Sequence, residues 1–519
     1  MFRSLSLNMF RSMTKCIFFS LFFIYSYSTL AGNVTLRGNA EGLTVGTVGA
    51  FVIEDYISEN RVLLQSAEIS PTGDFIISFD LNETQAIVIS INRIEGLLYV
   101  SPGQSYRFVF PPAKSVEVKK FDRTSIELQL IDEPESSINS TIRSFNSEYA
   151  SFVSEHFFDF AVNEYRGSDV YIKSIGAKVT ETDLYKTSER KDSVPLQNTV
   201  GFSIVVDKFI NQVNETYSSE FSNLFFKDYV TYSLAELELM AGMKRDVLYQ
   251  RYFMSQPMKL NNPSYMRCFE LFYNDFLSGR NRDRQNEIVK AVNHERSPDK
   301  LISIFENDST ALSRQIRTLA VIKGLKDIYF NKTYTRNAIE VTLSKVSTEY
   351  PELKRIAENT LGSLRKCKEG WQLEDFVLVD QSEHKWMLSE QKDKPLYLLF
   401  FASWNTSSLK EMQMMKNLHA KYQQDFDFVA ISMDDSYEDF RKYLESHTDE
   451  KFTLLYGSAD PLLTQKCNVF SVPYALMLDD RGVVSFAVTR LPSQGIQSEL
   501  EKIMVVNKQN KQGPKTWKD

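Results

Sequence analysis

From residue 34 to about 130, apolar and polar residues alternate in short runs: "VTLRG", "AFVIED", "LLQSAEI", "DFIISFD", "QAIVISI", "GLLYV", "SYRFVF" and "SIELQL". A period of two sends successive side chains to opposite faces of a strand, so each run predicts a strand with one buried face. Turn signals such as "SPTGD" and "SPGQS" separate the runs, a pattern that predicts an antiparallel sandwich or barrel. Near residue 135 the period changes. Ile138, Ile142, Phe145, Tyr149, Phe152 and His156 recur at steps of four and three, which is one face of a helix. The same spacing suits 203–243 and 335–367, with Pro257 and Pro263 punctuating the stretch between. "SERKDSVPLQNTV" (188–200) reads as an exposed loop within this helical region.

After Lys368 the texture changes again. "DFVLVD", "PLYLLFF", "FDFVAISMD", "FTLLYG", "YALMLD" and "VVSFAVT" are strand-like, and helices are predicted over 408–424, 436–447, 460–469 and 493–504. From Pro395 the order is β-α-β-α-β-α-β-β-α, closing on a hairpin at Asp480-Arg481-Gly482, which specifies a mixed sheet covered on both faces. In the helix after Trp404, Leu409, Met412, Met415, Leu418 and Tyr422 form the buried side. Ser408 and Glu411 are spaced as a capping box at its start. The expected organisation is multi-domain: an all-β sandwich-like domain over 32–132, a mainly α-helical region over 133–366, an α/β domain over 367–506 and a polar tail over 507–519.

The 43% apolar and 24% charged content of the 519 residues is that of a folded chain. A net charge of −7, with no long basic run outside the tail, argues against nucleic acid as a partner. The first 31 residues carry Arg3, Arg11 and Lys15 and no acid, then "CIFFSLFFIY", then small and polar residues. That order reads as a secretory signal peptide with cleavage after Ala31, so the mature protein is expected to be exported, to the periplasm or outer cell envelope, with no transmembrane span. "MFRS" occurs at residues 1 and 9, so Met1 and Met9 are both candidate starts. Export would place Cys268, Cys367 and Cys467 where disulfides are permitted, but three thiols allow one bridge at most. Their spacing and the scattered histidines match no metal motif, and no phosphate loop or Gly-x-Gly-x-x-Gly is present. No metal or cofactor is expected. The acidic "MDDSYED" (433–439) sits where a strand feeds a helix and complements the positive end of the helix.

The C-terminal ~140 residues resemble the thioredoxin superfamily, in its exported TlpA-like redoxin branch of bacterial envelopes. "GWQLEDFVLVD" resembles the opening Gly-x-x-Ala-Pro-Asp-Phe-x-Leu-x-Asp of that family. "WMLSEQKDKPLYLLFFASW" resembles the stretch that leads into its active site, and "VFSVPYALMLDDRG" its cis-proline region, with Pro473 in the proline's place. The resemblance implies a C-terminal thioredoxin-like fold and thiol–disulfide chemistry. Two departures bear on that. The opening Ala-Pro is Leu373-Glu374, and Trp-Cys-x-x-Cys is Trp404-Asn405-Thr406-Ser407-Ser408, so both redox positions lack sulfur.

Thiol–disulfide exchange needs a thiolate that attacks and a second thiol that resolves. Asn405 offers no nucleophile. Ser408 would need a base, and the nearest histidine in sequence, His419, lies about three helical turns away, or ~16 Å. Asn405 and Ser408 are therefore expected to satisfy N–H groups at the helix start rather than to catalyse. The resemblance implies that the groove beside the cis-proline holds an extended partner segment, which would make this a redox-inactive, non-enzymatic module binding an envelope protein or peptide through Trp404, Val472 and Pro473. Cys467, six residues before Pro473, is expected to be a buried structural thiol. The alternative is an oxidoreductase or peroxidase using Cys467 or Cys367, which for Cys467 requires that thiol to be exposed beside Trp404 with a lowered pKa. Cys367, at the start of the last region, could bridge to Cys268 or remain free.

Overall fold

The computed structural model describes residues 32–40, 47–91, 94–111, 124–157, 159–160, 198–347, 349–391, 393–434, 436–486 and 488–511. The proposed signal peptide with Met1, Met9 and Cys16, most of the 188–200 loop, and residues 512–519 of the tail lie outside them.

The alternating runs fold as β1 (Gly32–Asn39), β2 (Thr47–Asp55), β3 (Asn60–Glu68), β4 (Asp74–Leu81), β5 (Gln85–Ile91), β6 (Ile94–Val100), β7 (Ser105–Val109), β8 (Thr124–Ile126) and β9 (Gln129–Leu130). They form two sheets, ordered β4-β1-β7-β9 and β3-β2-β5-β6-β8. In β4 the alternation is complete, with Phe75, Ile77, Phe79 and Leu81 buried and the residues between them exposed. These side chains join Val34 and Leu36 from β1 and Ile87, Ile89 and Ile91 from β5 in one apolar core. Gly38 faces Phe75 across the β1–β4 pair, and a Cβ there would stand 2.0 Å from the Phe75 ring. The absence of a side chain lets that ring lie across the strand.

The arrangement is not wholly antiparallel, as expected, but mixed, because β1 pairs with β7 and β6 with β8 in parallel. "SIELQL" is divided between the sheets, β8 joining one and β9 the other. Parallel partners are brought together by crossovers, which a local period of two does not encode.

Ten α-helices follow among the described residues: α1 (Ile138–Glu155), α2 (Asn198–Thr216), α3 (Leu224–Met240), α4 (Arg245–Tyr252), α5 (Pro263–Phe272), α6 (Gln285–Lys290), α7 (Pro298–Ile304), α8 (Arg314–Asp327), α9 (Arg336–Ser344) and α10 (Pro351–Arg365). Five of their starts carry a side-chain cap, those of α1, α3, α5, α7 and α9. The Ser137 side chain accepts from Ser140 N at α1, and Asn262 accepts from Ser264 N and Tyr265 N at α5. Proline at the first helical position, as in α5 and α10, costs nothing because its missing N–H would have had no partner. Pro351 thereby divides the periodic stretch 335–367 into α9 and α10.

Strands and helices share contacts. Asn139 of α1 pairs both ways with the Tyr99 backbone of β6, donating to its O and accepting from its N, each at 2.8 Å. The turn between β2 and β3 inserts Ile57 into the largest helical core, where Lys326 Nζ donates to the Ile57 carbonyl at 2.5 Å. Asn359 of α10 donates to Glu54 and Asp55.

The last region contains β10 (Val377–Asp380), β11 (Lys385–Met387), β12 (Leu396–Phe401), α11 (Thr406–Tyr422), β13 (Asp427–Ser432), α12 (Tyr437–Ser446), β14 (Thr453–Tyr456), α13 (Leu463–Lys466), β15 (Tyr474–Leu478) and α14 (Gln497–Lys511). The sheet order is β11-β10-β14-β13-β12-β15, with β12, β13 and β14 parallel and the rest antiparallel. Central β12 is buried on both faces. Tyr397, Leu399 and Phe401 meet α11, α12 and α14, whereas Leu396, Leu398 and Phe400 meet the 367–376 segment and α13.

Four expectations change here. β11 was not anticipated. Among the described residues of "VVSFAVT" there are isolated bridges from Val483 to Gln372 and from Val484 to Leu478 rather than a strand, and Met477 N is taken by Thr489 Oγ1. α13 is four residues rather than ten: it starts three residues later than expected and ends before Cys467 and the left-handed Asn468 (φ 54°). α14 runs to Lys511, five residues into the stretch read as tail.

Candidate functional site

β12 delivers Ala402, Ser403, Trp404 and Asn405 to the corner where α11 begins. Asn405 N donates to Ala402 O at 3.0 Å, which tightens the turn. The Asn405 side chain caps the helix by accepting from Ser408 N at 2.9 Å, while its amide nitrogen donates to the Val472 carbonyl at 3.4 Å. One side chain thus satisfies a free helical N–H and ties the corner to the loop before Pro473. The Val472–Pro473 peptide is cis.

Ser408 is not the cap. It is fully buried in the first turn, and its hydroxyl has no hydrogen-bond partner among the described residues. The capping box with Glu411 is also absent, since α11 starts two residues earlier, which puts Asn405 at the cap and Ser408 inside the first turn. Buried Glu411 instead accepts from Ser493 N at 2.9 Å and Ser493 Oγ at 2.5 Å, and so ties α11 to the turn before α14.

Asp434 was assigned to a helix terminus and lies elsewhere. It is fully buried at the end of β13, where its carboxylate accepts from Ser403 N (2.9 Å), Ser403 Oγ (3.0 Å) and Ser432 Oγ (2.7 Å). Three donors offset the cost of burying the charge, and they fix the turn just before Trp404. The acids in the first turn of α12 are Glu438 and Asp439, with Ser436 as its cap. The adjacent "DD" and the serines were the only sequence signal for this clamp, and they lie 31 residues apart.

Trp404 is 36% exposed, Phe470 78% and Val472 9%, so two aromatic rings are presented on the elements that flank the cis peptide. Phe470 was not singled out from the sequence. Within a run of apolar residues nothing distinguishes the outward ring.

The described cysteines are all free and buried, which bears on two alternatives left open above. Cys268 sits in the helical core and Cys367 in the last region's core, so they do not bridge. Cys467 is fully buried rather than beside Trp404 at the surface, and burial, then neighbouring Cys367, push its pKa well above the ordinary thiol range. Burial pushes Cys367 up to about 12. The exposed, low-pKa thiol required for the Cys467 alternative is not what the fold provides. His419 packs edge-on against Phe428 and Phe452, with its pKa lowered by burial and by Lys451, and has no part in the corner. Among the described residues no cluster of His, Cys, Asp or Glu is arranged to hold a metal, and no helix is long and apolar enough to cross a membrane.

Comparison with known proteins places this corner in a family. A family model described as thioredoxin-like matches residues 393–484, from before β12 through the hairpin after β15. The thioredoxin-like protein YneN of Bacillus subtilis (strain 168) is 31% identical over 123 residues, covering 22% of this chain and 69% of that protein. The thiol-disulfide oxidoreductase ResA of Geobacillus kaustophilus (strain HTA426) is 27% identical over 131 residues, covering 25% of this chain and 74% of that one. Among solved structures, a thiol:disulfide interchange protein from Bacteroides sp. matches at 16% identity and a TM-score of 0.24, over 28% of this chain and 93% of that chain. Through its last third, the chain belongs to the thioredoxin-like family.

Proposed function

We propose that this protein is a redox-inactive member of its family, exported to the cell envelope, whose thioredoxin-like region binds an extended polypeptide segment along the groove between Trp404 and the Val472–Pro473 peptide. The carrying observation is that Asn405, in place of a thiol, fastens the corner to the Val472 carbonyl while Trp404 and Phe470 stay exposed beside it. Among the described residues the Val472 N–H donates to no acceptor, which leaves a backbone donor for an added strand. Among the described residues, Cys367 and Cys467 are buried and raised in pKa, so neither supplies a substitute sulfur. Export is supported by the composition of residues 1–31, and the division into sandwich-like, helical and thioredoxin-like domains by the changes of period near 132 and 367.

Two measurements on the full chain test this. Dithiothreitol-driven reduction of a protein disulfide, and peroxide consumption, should stay at the uncatalysed rate. Partners crosslinked in the native envelope should be lost when Trp404→Ala is combined with Pro473→Ala. Turnover by the wild type would remove the redox-inactive part of the proposal, and unchanged partner recovery would remove the groove.

A further inference from the structure

We propose that Cys367 and Cys467, a hundred residues apart in sequence, form a disulfide under oxidising conditions, stapling the turn after α10 to the loop that leads into the cis peptide. The Cys367 sulfur donates to the Lys466 carbonyl oxygen at 3.4 Å. That oxygen lies in the same planar peptide unit as the Cys467 Cα, so the sulfur of one cysteine stands beside the backbone of the other. A disulfide needs the two Cα atoms within about 7 Å, and a Cys367 sulfur hydrogen-bonded to the peptide that carries the Cys467 Cα makes the two residues direct neighbours. Both backbones are held in place. Cys367 adopts a left-handed φ of 55° directly after α10, and Cys467 N donates to Leu463 O at 2.9 Å at the end of α13.

Both side chains belong to one apolar cluster with Leu373, Leu463 and Val469. Tyr474, at the start of β15, is raised in pKa by burial and then by both thiols, in keeping with a single shared pocket. Cys268, in the helical core, lies outside that cluster and has no such neighbour.

The oxidant is a low-molecular-weight disulfide. One cysteine thiolate attacks it and expels a small thiolate, and the second cysteine then displaces the other half. One S–S bond is exchanged for another, and the two protons from the cysteines leave on the two released thiols. Because both thiols are buried with raised pKa values, the bond forms as the chain folds rather than on the finished surface. The closed loop contains most of the thioredoxin-like region, so the staple restricts the unfolded chain and holds the Phe470–Pro473 wall against the segment leaving α10. None of this depends on the binding role of the groove.

The test uses the full chain refolded in oxidised glutathione, alkylated under denaturing conditions and mapped by mass spectrometry. The expected product is a linked pair of peptides containing Cys367 and Cys467, lighter by two hydrogens than the sum of the free peptides, with Cys268 alkylated. Its melting temperature should exceed that of the reduced protein, a difference that persists in Cys268→Ala and disappears in Cys367→Ala. Should the Cys367 variant fold poorly, the wild-type peptide map decides alone. Full alkylation of both cysteines after refolding, or bridges scattered equally onto Cys268, would overturn the proposal.

Discussion

Replacing Asn405 and Ser408 together with cysteine should create the dithiol activity that this corner lacks. The two positions sit at the cap and in the first turn of α11, with Asn405 half-buried and Ser408 fully buried. An accessible sulfur would therefore attack and an enclosed one would resolve. The Ser408 N–H now reaches the Asn405 oxygen at 2.9 Å, and a thiolate at that place would receive the same donor and the positive end of the helix. Such a position is worth about 1 kcal/mol for a negative charge, and slightly more where the site is partly buried. One pKa unit is about 1.4 kcal/mol, so a thiol ordinarily near 8.5 would fall toward about 7.5. Its thiolate fraction at pH 7 would then rise from about 3% to about a quarter, a severalfold gain in attacking species. The lost asparagine cap would cost about 1 kcal/mol of stability. The assay is reduction of a protein disulfide by dithiothreitol. Wild type should match the uncatalysed rate, the single Asn405→Cys variant should stop at a mixed disulfide, and the double variant should turn over. A folded double variant with both thiols titratable and no turnover would refute the argument, since sulfur would then not be the missing part.

Three further substitutions probe the same corner and a buried carboxyl of the helical region. Asn405→Ala removes both the helix cap and the bond to Val472 O, and should lower stability by about 1 kcal/mol in urea unfolding. Asn405→Asp keeps the cap and loses only the donor to Val472, so it should stay close to wild type while weakening the tie to the cis-proline loop; equal losses in both variants would place the energy in the loop tie instead. Glu270 of α5 is raised from 4.5 to about 7, by burial first, with Lys323 and Lys326 opposing and Glu59 and Asp327 adding. A carboxyl raised on folding leaves the native state holding more protons than the unfolded one between those values. Its contribution is therefore complete below about pH 4.5 and lost as pH rises through about 7. Glu270→Gln should be more stable than wild type at pH 8, by on the order of 3 kcal/mol, and should show no advantage at pH 4.5. Parallel melting curves at both pH values would contradict this.

Much of the fold was legible because it is written in local periods. β4 shows its alternation residue by residue, and α11 buries Met412, Met415, Leu418 and Tyr422 as their spacing required. The helix starts at Asn262 and Ser137 follow from short-range capping chemistry. Some errors were local, as at α13 and β11, and others involved a partner far along the chain. Ser408 and Glu411 have the spacing of a capping box, yet Asn405 took the cap and Ser493, 82 residues on, took the glutamate.

The sequence by itself determined the succession of β, helical and mixed regions, the missing sulfur at positions 405 and 408, and the proline of the loop opposite. Those are properties of residue type and of spacing within one turn or one strand. Tertiary structure alone decided that Asp434 clamps Ser403, that Asn405 reaches Val472 O, that Phe470 faces outward, and that Cys367 lies against the peptide before Cys467. Each of these depends on how separate segments meet across the sheet, and a hydrogen bond or buried contact between distant residues leaves no period in the chain that makes it.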